Sequence, residues 1–151
     1  MLYSKTAEYA VRALTIMGLR PHGTFFQVKQ IASIEPISPS FLSKIMRDLT
    51  RARVLKSVRG PSGGFYLSRE ANKITLWDIV CIIDGEENYT SCILGLEQCL
   101  DDNPCPMHQS FKPLRESIQR YLKSCTIGEL SKGYFGRHTD RASQLENLLD
   151  S

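Results

Sequence analysis

The sequence predicts a mainly α fold with one small β-hairpin, followed by a long C-terminal helix. Three observations carry that expectation. Apolar residues recur at helical spacing in three stretches before residue 52; two short alternating runs flank a Gly-rich turn at 59–64; and a narrow apolar seam runs on from Met107. The chain has 151 residues, 42% of them hydrophobic and 23% charged, which is the composition of a globular protein able to bury a core.

The first helix spans residues 5–20, with Ala7, Ala10, Val11, Leu14, Met17 and Gly18 in register, and Pro21-His22-Gly23 ends it. A short second helix, residues 28–32, stops at Glu35-Pro36-Ile37, because proline disfavours helical geometry at the residue before it. The third starts at Ser38, a capping residue, with Pro39 at the first helical position. Leu42, Ile45, Met46 and Leu49 form its apolar stripe, and Ser40, Lys44, Arg47 and Arg51 lie opposite. Two helices joined by a short turn, the second basic on its outer face, make a helix-turn-helix.

Val54-Leu55-Lys56-Ser57-Val58 and Phe65-Tyr66-Leu67 alternate as strands around Arg59-Gly60-Pro61-Ser62-Gly63-Gly64. A hairpin directly after a helix-turn-helix is a wing, so the expected fold is a winged helix-turn-helix. Its glycines let the tip approach a phosphate backbone or minor groove, where Arg59 is placed to insert. Residues 74–83 form a buried helix ending at Asp84-Gly85. Residues 86–105 have no sustained periodicity. Met107, Phe111, Leu114, Ile118, Tyr121 and Cys125 then recur at gaps of four and three, a coiled-coil type seam suited to a partner helix. The division expected is a DNA-binding domain at 1–85, a cysteine sensor loop at 86–106, a dimerisation helix at 107–130 and a polar tail at 131–151.

Charge is distributed unevenly. Residues 1–70 hold 11 Lys/Arg against 4 Asp/Glu, whereas residues 71–108 hold 1 against 7. A basic N-terminal half is the electrostatic footprint of a nucleic-acid binder. No apolar run approaches the roughly 18–20 residues of a membrane span, and residues 1–5 lack the apolar core of a signal peptide. A cytoplasmic location and no membrane partner are expected. There is no Ser/His/Asp constellation, and residues 60–64 fit no Walker or dinucleotide pattern, so an enzyme is not expected.

Of five cysteines, Cys92, Cys99 and Cys105 lie close together, with His108 two residues beyond the last. Three thiols and an imidazole satisfy a four-ligand site, for zinc or for an iron–sulfur cluster. Gaps of six and five residues let a loop encircle a larger body than the single ion gripped by close knuckles. A thiol–disulfide switch remains a further reading. Cys81, among Ile79, Val80, Ile82 and Ile83, reads as a small core residue, and Cys125 reads likewise.

Over roughly residues 1–130 the sequence resembles the iron–sulfur-sensing winged-helix regulators that include IscR, NsrR and RirA. The resemblance is carried by the opening Ser4-Lys5-Thr6-Ala7-Glu8-Tyr9-Ala10, the helix-turn-helix, the wing from Val58 to Phe65, the helix beginning Ile74-Thr75-Leu76-Trp77-Asp78-Ile79, and the three cysteines in order. It implies a transcription regulator acting as a homodimer crossed by C-terminal helices, with a [2Fe–2S] or [4Fe–4S] cluster on Cys92, Cys99 and Cys105. It implies His108 as the fourth ligand, favoured on local spacing, or Glu8 from the partner subunit. It also places DNA contacts at Ser38, Ser40, Lys44, Arg59, Ser62 and Gly63. In the major groove, Ser40, Ser43 and Lys44 would face base edges, with Arg47 and Arg51 near phosphates. A two-fold dimer implies double-stranded DNA with an imperfect palindrome. Two departures stand out: the first cysteine gap holds six residues where five is frequent, and Phe111 stands where tryptophan is common.

Overall fold

The computed structural model describes residues 2–134, 143–147 and 150. Helix α1 (Lys5–Met17) starts where the Ser4 hydroxyl accepts from the Ala7 amide, and it buries Ala7, Ala10, Ala13, Leu14, Ile16 and Met17. Helix α3 (Pro39–Arg51) packs on α1, and α2 (Val28–Ile34) packs on α3. Ser38 caps α3 by accepting from the Phe41 amide at 3.3 Å, satisfying an amide that would otherwise be unpaired in the first turn. Ile31, Leu42, Ile45, Met46 and Leu49 meet Leu14 and Ile16 in one core. Each such side chain contributes roughly 1.5–3 kcal/mol on burial.

Arg53 takes a left-handed backbone (φ 64°) and turns the chain out of α3 into the hairpin. Strands β1 (Leu55–Val58) and β2 (Gly64–Leu67) pair antiparallel, with Leu55 opposite Leu67 and Val58 opposite Gly64. A two-way backbone exchange between Phe26 and Phe65, both bonds 2.8 Å, ties the wing to the segment before α2. Gly64 permits this closeness, since a Cβ there would stand 2.2 Å from the Phe26 carbonyl oxygen.

Helix α4 (Leu76–Asp84) begins with a reciprocal cap between Thr75 and Asp78 and buries Leu76, Ile79 and Val80. A single turn, α5 (Glu87–Thr90), interrupts the stretch expected to be irregular and seats Tyr89 in the core. Helix α6 (His108–Ser124) buries His108 and Leu122. The single helix expected over 107–130 is broken: Cys125 is extended, and α7 (Ile127–Gly133) starts anew from a Thr126/Glu129 capping box. Backbone bonds from Leu76 to Cys125 (2.9 Å) and from Ile127 to Ile74 (2.8 Å) fix the break against the start of α4. Helix α7 then folds back on α1, where the Ser131 hydroxyl donates to the buried Thr15 carbonyl at 2.9 Å.

The apolar seam of α6 faces outward. Met107, Leu114 and Tyr121 are 44%, 55% and 54% exposed. Phe111, Ile118 and Cys125 are half-buried. In the C-terminal tail Leu145 is buried, while Leu148 and Leu149 lie outside the described residues. No helix among the described residues is long and apolar enough to cross a membrane.

Candidate functional site

Two surfaces concentrate the chemistry. The first is a groove of about 800 Å³ between α3 and the wing. Ser43, Arg47, Arg51, Arg59 and Gly63 line it together with Lys29. Four cations therefore converge on one concavity, and the α3 acid Asp48 is engaged by Arg51 at 3.2 Å. Arg47 is steadied by donating from Nε to the Ser43 carbonyl at 3.2 Å. Ser38 and Ser40 stand at the exposed start of α3, their hydroxyls 3.4 Å apart. Lys44 and Ser62 are exposed, and neither lines the groove. At the wing tip Gly60 has φ +116°, and a Cβ on Gly63 would stand 2.6 Å from the Val58 carbonyl oxygen. The turn chemistry thus requires glycine at both.

Lys29 was not among the residues singled out from sequence. It lies in the first turn of α2, and the wing exchange through Phe26, a long-range pairing that local sequence does not announce, brings that turn to the groove.

The second surface gathers the thiols. Cys92 is buried at the end of α5, and Gly95 (φ +72°) bends the loop so that its amide donates to the Cys92 carbonyl at 2.9 Å. The His108 amide donates to the Cys105 carbonyl at 3.0 Å, setting both residues at the start of α6. Four side chains then form two pairs. Cys92 Sγ lies 3.6 Å from Cys105 Sγ, and Cys99 Sγ lies 3.2 Å from His108 Nδ1. Among the described residues, no three His, Cys, Asp or Glu side chains form a ready-made set for one metal ion.

Polar residues absent from the sequence reading surround the pairs. Arg115 donates to Cys99 Sγ at 3.2 Å and to the Ser91 carbonyl at 3.0 Å. Asp101 Oδ1 lies 2.7 Å from His108 Nε2, and Lys112 donates to both Asp101 oxygens at 2.7 and 2.9 Å. The Lys112 bond, then His108, holds the Asp101 carboxyl below its ordinary pKa. Backbone amides at Leu94 and Leu96, the Cys105 thiol and the Arg115 charge together lower the Cys92 thiol against the opposing effect of burial. Such a setting favours thiolate, the form that binds metal. Glu8 is held within its own chain by Lys5 (2.9 Å) and Arg12 (3.3 Å).

A polar chain connects this loop to α1. The Tyr89 hydroxyl donates to Asp84 at 3.1 Å, and Asp84 accepts from both the amide and the hydroxyl of Ser4, the α1 cap. Gln119 of α6 donates to the Tyr89 carbonyl at 2.7 Å.

A three-helix reading head, a wing whose base is fixed to the head and a cationic groove between them are the architecture of a winged-helix DNA-binding transcription regulator. The chain belongs to the Rrf2 family, described as iron-dependent transcriptional regulators, whose family model matches residues 3–133. It is 37% identical over 132 residues to a protein of Aquifex aeolicus (strain VF5) named as an HTH-type transcriptional regulator, covering 86% of this chain and 91% of that one. The regulator IscR of Vibrio atlanticus (strain LGP32) is 30% identical over 132 residues, covering 87% of this chain and 76% of that protein. Among solved structures, CymR, the global cysteine regulator of B. subtilis, superposes with a TM-score of 0.71 at 25% identity, covering 85% and 95% of the two chains.

Proposed function

We propose that this protein is a homodimeric transcription regulator whose DNA affinity is controlled by an iron–sulfur cluster on Cys92, Cys99, Cys105 and His108. The carrying observation is the pairing of the four side chains. Two thiolates on one tetrahedral centre, with metal–sulfur bonds of about 2.3 Å, stand about 3.8 Å apart. The Cys92–Cys105 separation of 3.6 Å is close to that spacing, and Cys99 and His108, at 3.2 Å, need to part by only a few tenths of an ångström to reach the roughly 3.5 Å of a sulfur–nitrogen pair on one centre. A [2Fe–2S] cluster would be held by Cys92 with Cys105 and by Cys99 with His108. The thiolate-favouring amides and Arg115 fit an anionic ligand set. His108, already beside Cys99, is a better fourth ligand than Glu8, which is committed to Lys5 and Arg12.

When bound, the cluster supplies a one-electron redox centre that oxidants can alter or remove. The chain transmits its state. Cys92 lies three residues after Tyr89, so a change in the loop acts on the Tyr89–Asp84–Ser4 chain and on the start of α1, against which α3 packs. A second copy pairing along the exposed α6 seam sets two α3 helices on one face. Ser40, Ser43 and Lys44 then meet base edges, Arg47 and Arg51 meet phosphates, Ser38 positions the start of α3, and Arg59, Ser62 and Gly63 reach the adjacent groove. The operator is an imperfect palindrome.

The test is anaerobic reconstitution with iron and sulfide. Wild type is expected to gain visible absorption and about equal iron and sulfide, and Cys92→Ala to gain neither. A colourless, iron-free wild type overturns the cluster reading.

The Cys92–Cys105 contact also favours a second reading, in which peroxide oxidises the two thiols to a disulfide. That bond needs the sulfurs to close to about 2.05 Å. Mass analysis showing a Cys92–Cys105 bridge in place of bound iron selects it. Metal analysis finding one zinc and no sulfide selects the zinc version.

A further inference from the structure

We infer that Asp101, held by Lys112, is a positioning residue that keeps the His108 ring protonated at Nε2 and so presents Nδ1 as its metal-ligating atom. The inference deepens the cluster reading and rests on it for the ligand role alone.

The argument runs through donors and acceptors. A neutral imidazole carries one N–H and one lone pair, and which nitrogen holds the proton is set by its neighbours. Lysine has donors only, and the Lys112 ammonium contacts both oxygens of Asp101, so that carboxylate acts purely as an acceptor. Its 2.7 Å contact with His108 therefore places the hydrogen on Nε2. The lone pair falls to Nδ1, and Nδ1 is the atom 3.2 Å from Cys99 Sγ. The ring is only 7% exposed. A flipped ring would turn the wrong atom toward each neighbour. Carboxylate, imidazole and metal in series is the usual way a protein orients a histidine ligand, and losing the outer partner typically lowers metal affinity about 10–100-fold.

The experiment uses full-length protein with ¹⁵N-labelled histidine, carrying His22→Gln and His138→Gln so that His108 gives the only ring signals. In the apo protein at mildly alkaline pH, long-range proton–nitrogen NMR is expected to show Nε2 protonated and Nδ1 bare. In Asp101→Asn the single amide oxygen is taken by Lys112, the amide NH2 donates to Nε2, and the ring proton moves to Nδ1. Asp101→Glu is expected to restore the wild-type form. After reconstitution and reduction, pulsed EPR is expected to show strong nitrogen coupling from δ1-labelled histidine, and iron retention in Asp101→Asn is expected to fall about 10–100-fold.

A wild-type ring protonated at Nδ1, an unchanged tautomer in Asp101→Asn, or strong coupling from the ε2 label overturns the inference. Should Asp101→Asn fail to fold, the wild-type tautomer and label position decide it. If wild type assembles no cluster, the cluster reading falls, while the apo tautomer still decides what Asp101 does.

Discussion

The cysteines of this chain differ in what surrounds them, and their reactivity follows. Burial, with the nearby acids Glu86 and Asp78, pushes the Cys81 thiol up to about 11. At pH 8 only about one molecule in a thousand carries a thiolate there. Alkylation of Cys81 is expected to be about two orders of magnitude slower than that of a model thiol, read by mass spectrometry, and to accelerate as pH rises toward the raised value. At the wing, an added Cβ on Gly63 meets backbone oxygens of Val58 and Gly60 at 2.6 and 2.7 Å. Gly63→Ala is expected to cost about 1–3 kcal/mol in urea denaturation, the usual range for overpacking, and to weaken DNA binding because the tip must shift. The three loop cysteines and His108 were legible in sequence because their spacing is local. Asp101, Lys112 and Arg115 were not, since an acid in an irregular loop and two cations on a helix look solvated until the fold brings them to His108 and Cys99.

Among the elements, α1, α3, the wing and α4 could be read from periodicity, caps and turn residues, because each announces itself within a few positions. The end of α6 could not. The seam period runs through Cys125, and it masked a stronger local signal, Thr126-Ile127-Gly128-Glu129, whose side chains cap α7 reciprocally. Thr126→Ala is expected to lose about 1 kcal/mol of stability, measured by urea unfolding, and to loosen the contact between α7 and α1. In the groove, Arg47→Ala and Arg59→Ala each remove a cation from the surface lined by α3 and the wing. Each is expected to weaken DNA binding and, where a phosphate contact is lost, to reduce the slope of log affinity against log salt by about 1. An unchanged slope in both would remove the groove from the interface.

At the scale of the whole molecule, a single copy leaves Met107, Leu114 and Tyr121 exposed along one stripe at α6 while the flanking Leu122 enters the core. In the proposed homodimer a second copy of this helix covers the stripe, and pairing would convert two weak half-site contacts into one specific one. Leu114→Glu with Tyr121→Glu is expected to yield a folded monomer by analytical ultracentrifugation that has lost operator preference. The Tyr89–Asp84–Ser4 chain joins the end of α5 to the start of α1, and Gln119 of α6 donates to the Tyr89 carbonyl, so the proposed regulation requires ligand state, dimer geometry and the attitude of α3 to be coupled along this route. Coupling between two sites of one protein is typically worth 5–150-fold in affinity.

The direct measurement is the affinity of full-length dimer for the promoter of its own operon, at one stated salt concentration, with reconstituted and cluster-stripped protein side by side. The account predicts affinities that differ by at least about fivefold, with the difference abolished in Cys92→Ala. Equal affinities for the two forms, with both preferring the promoter over random duplex, would contradict it.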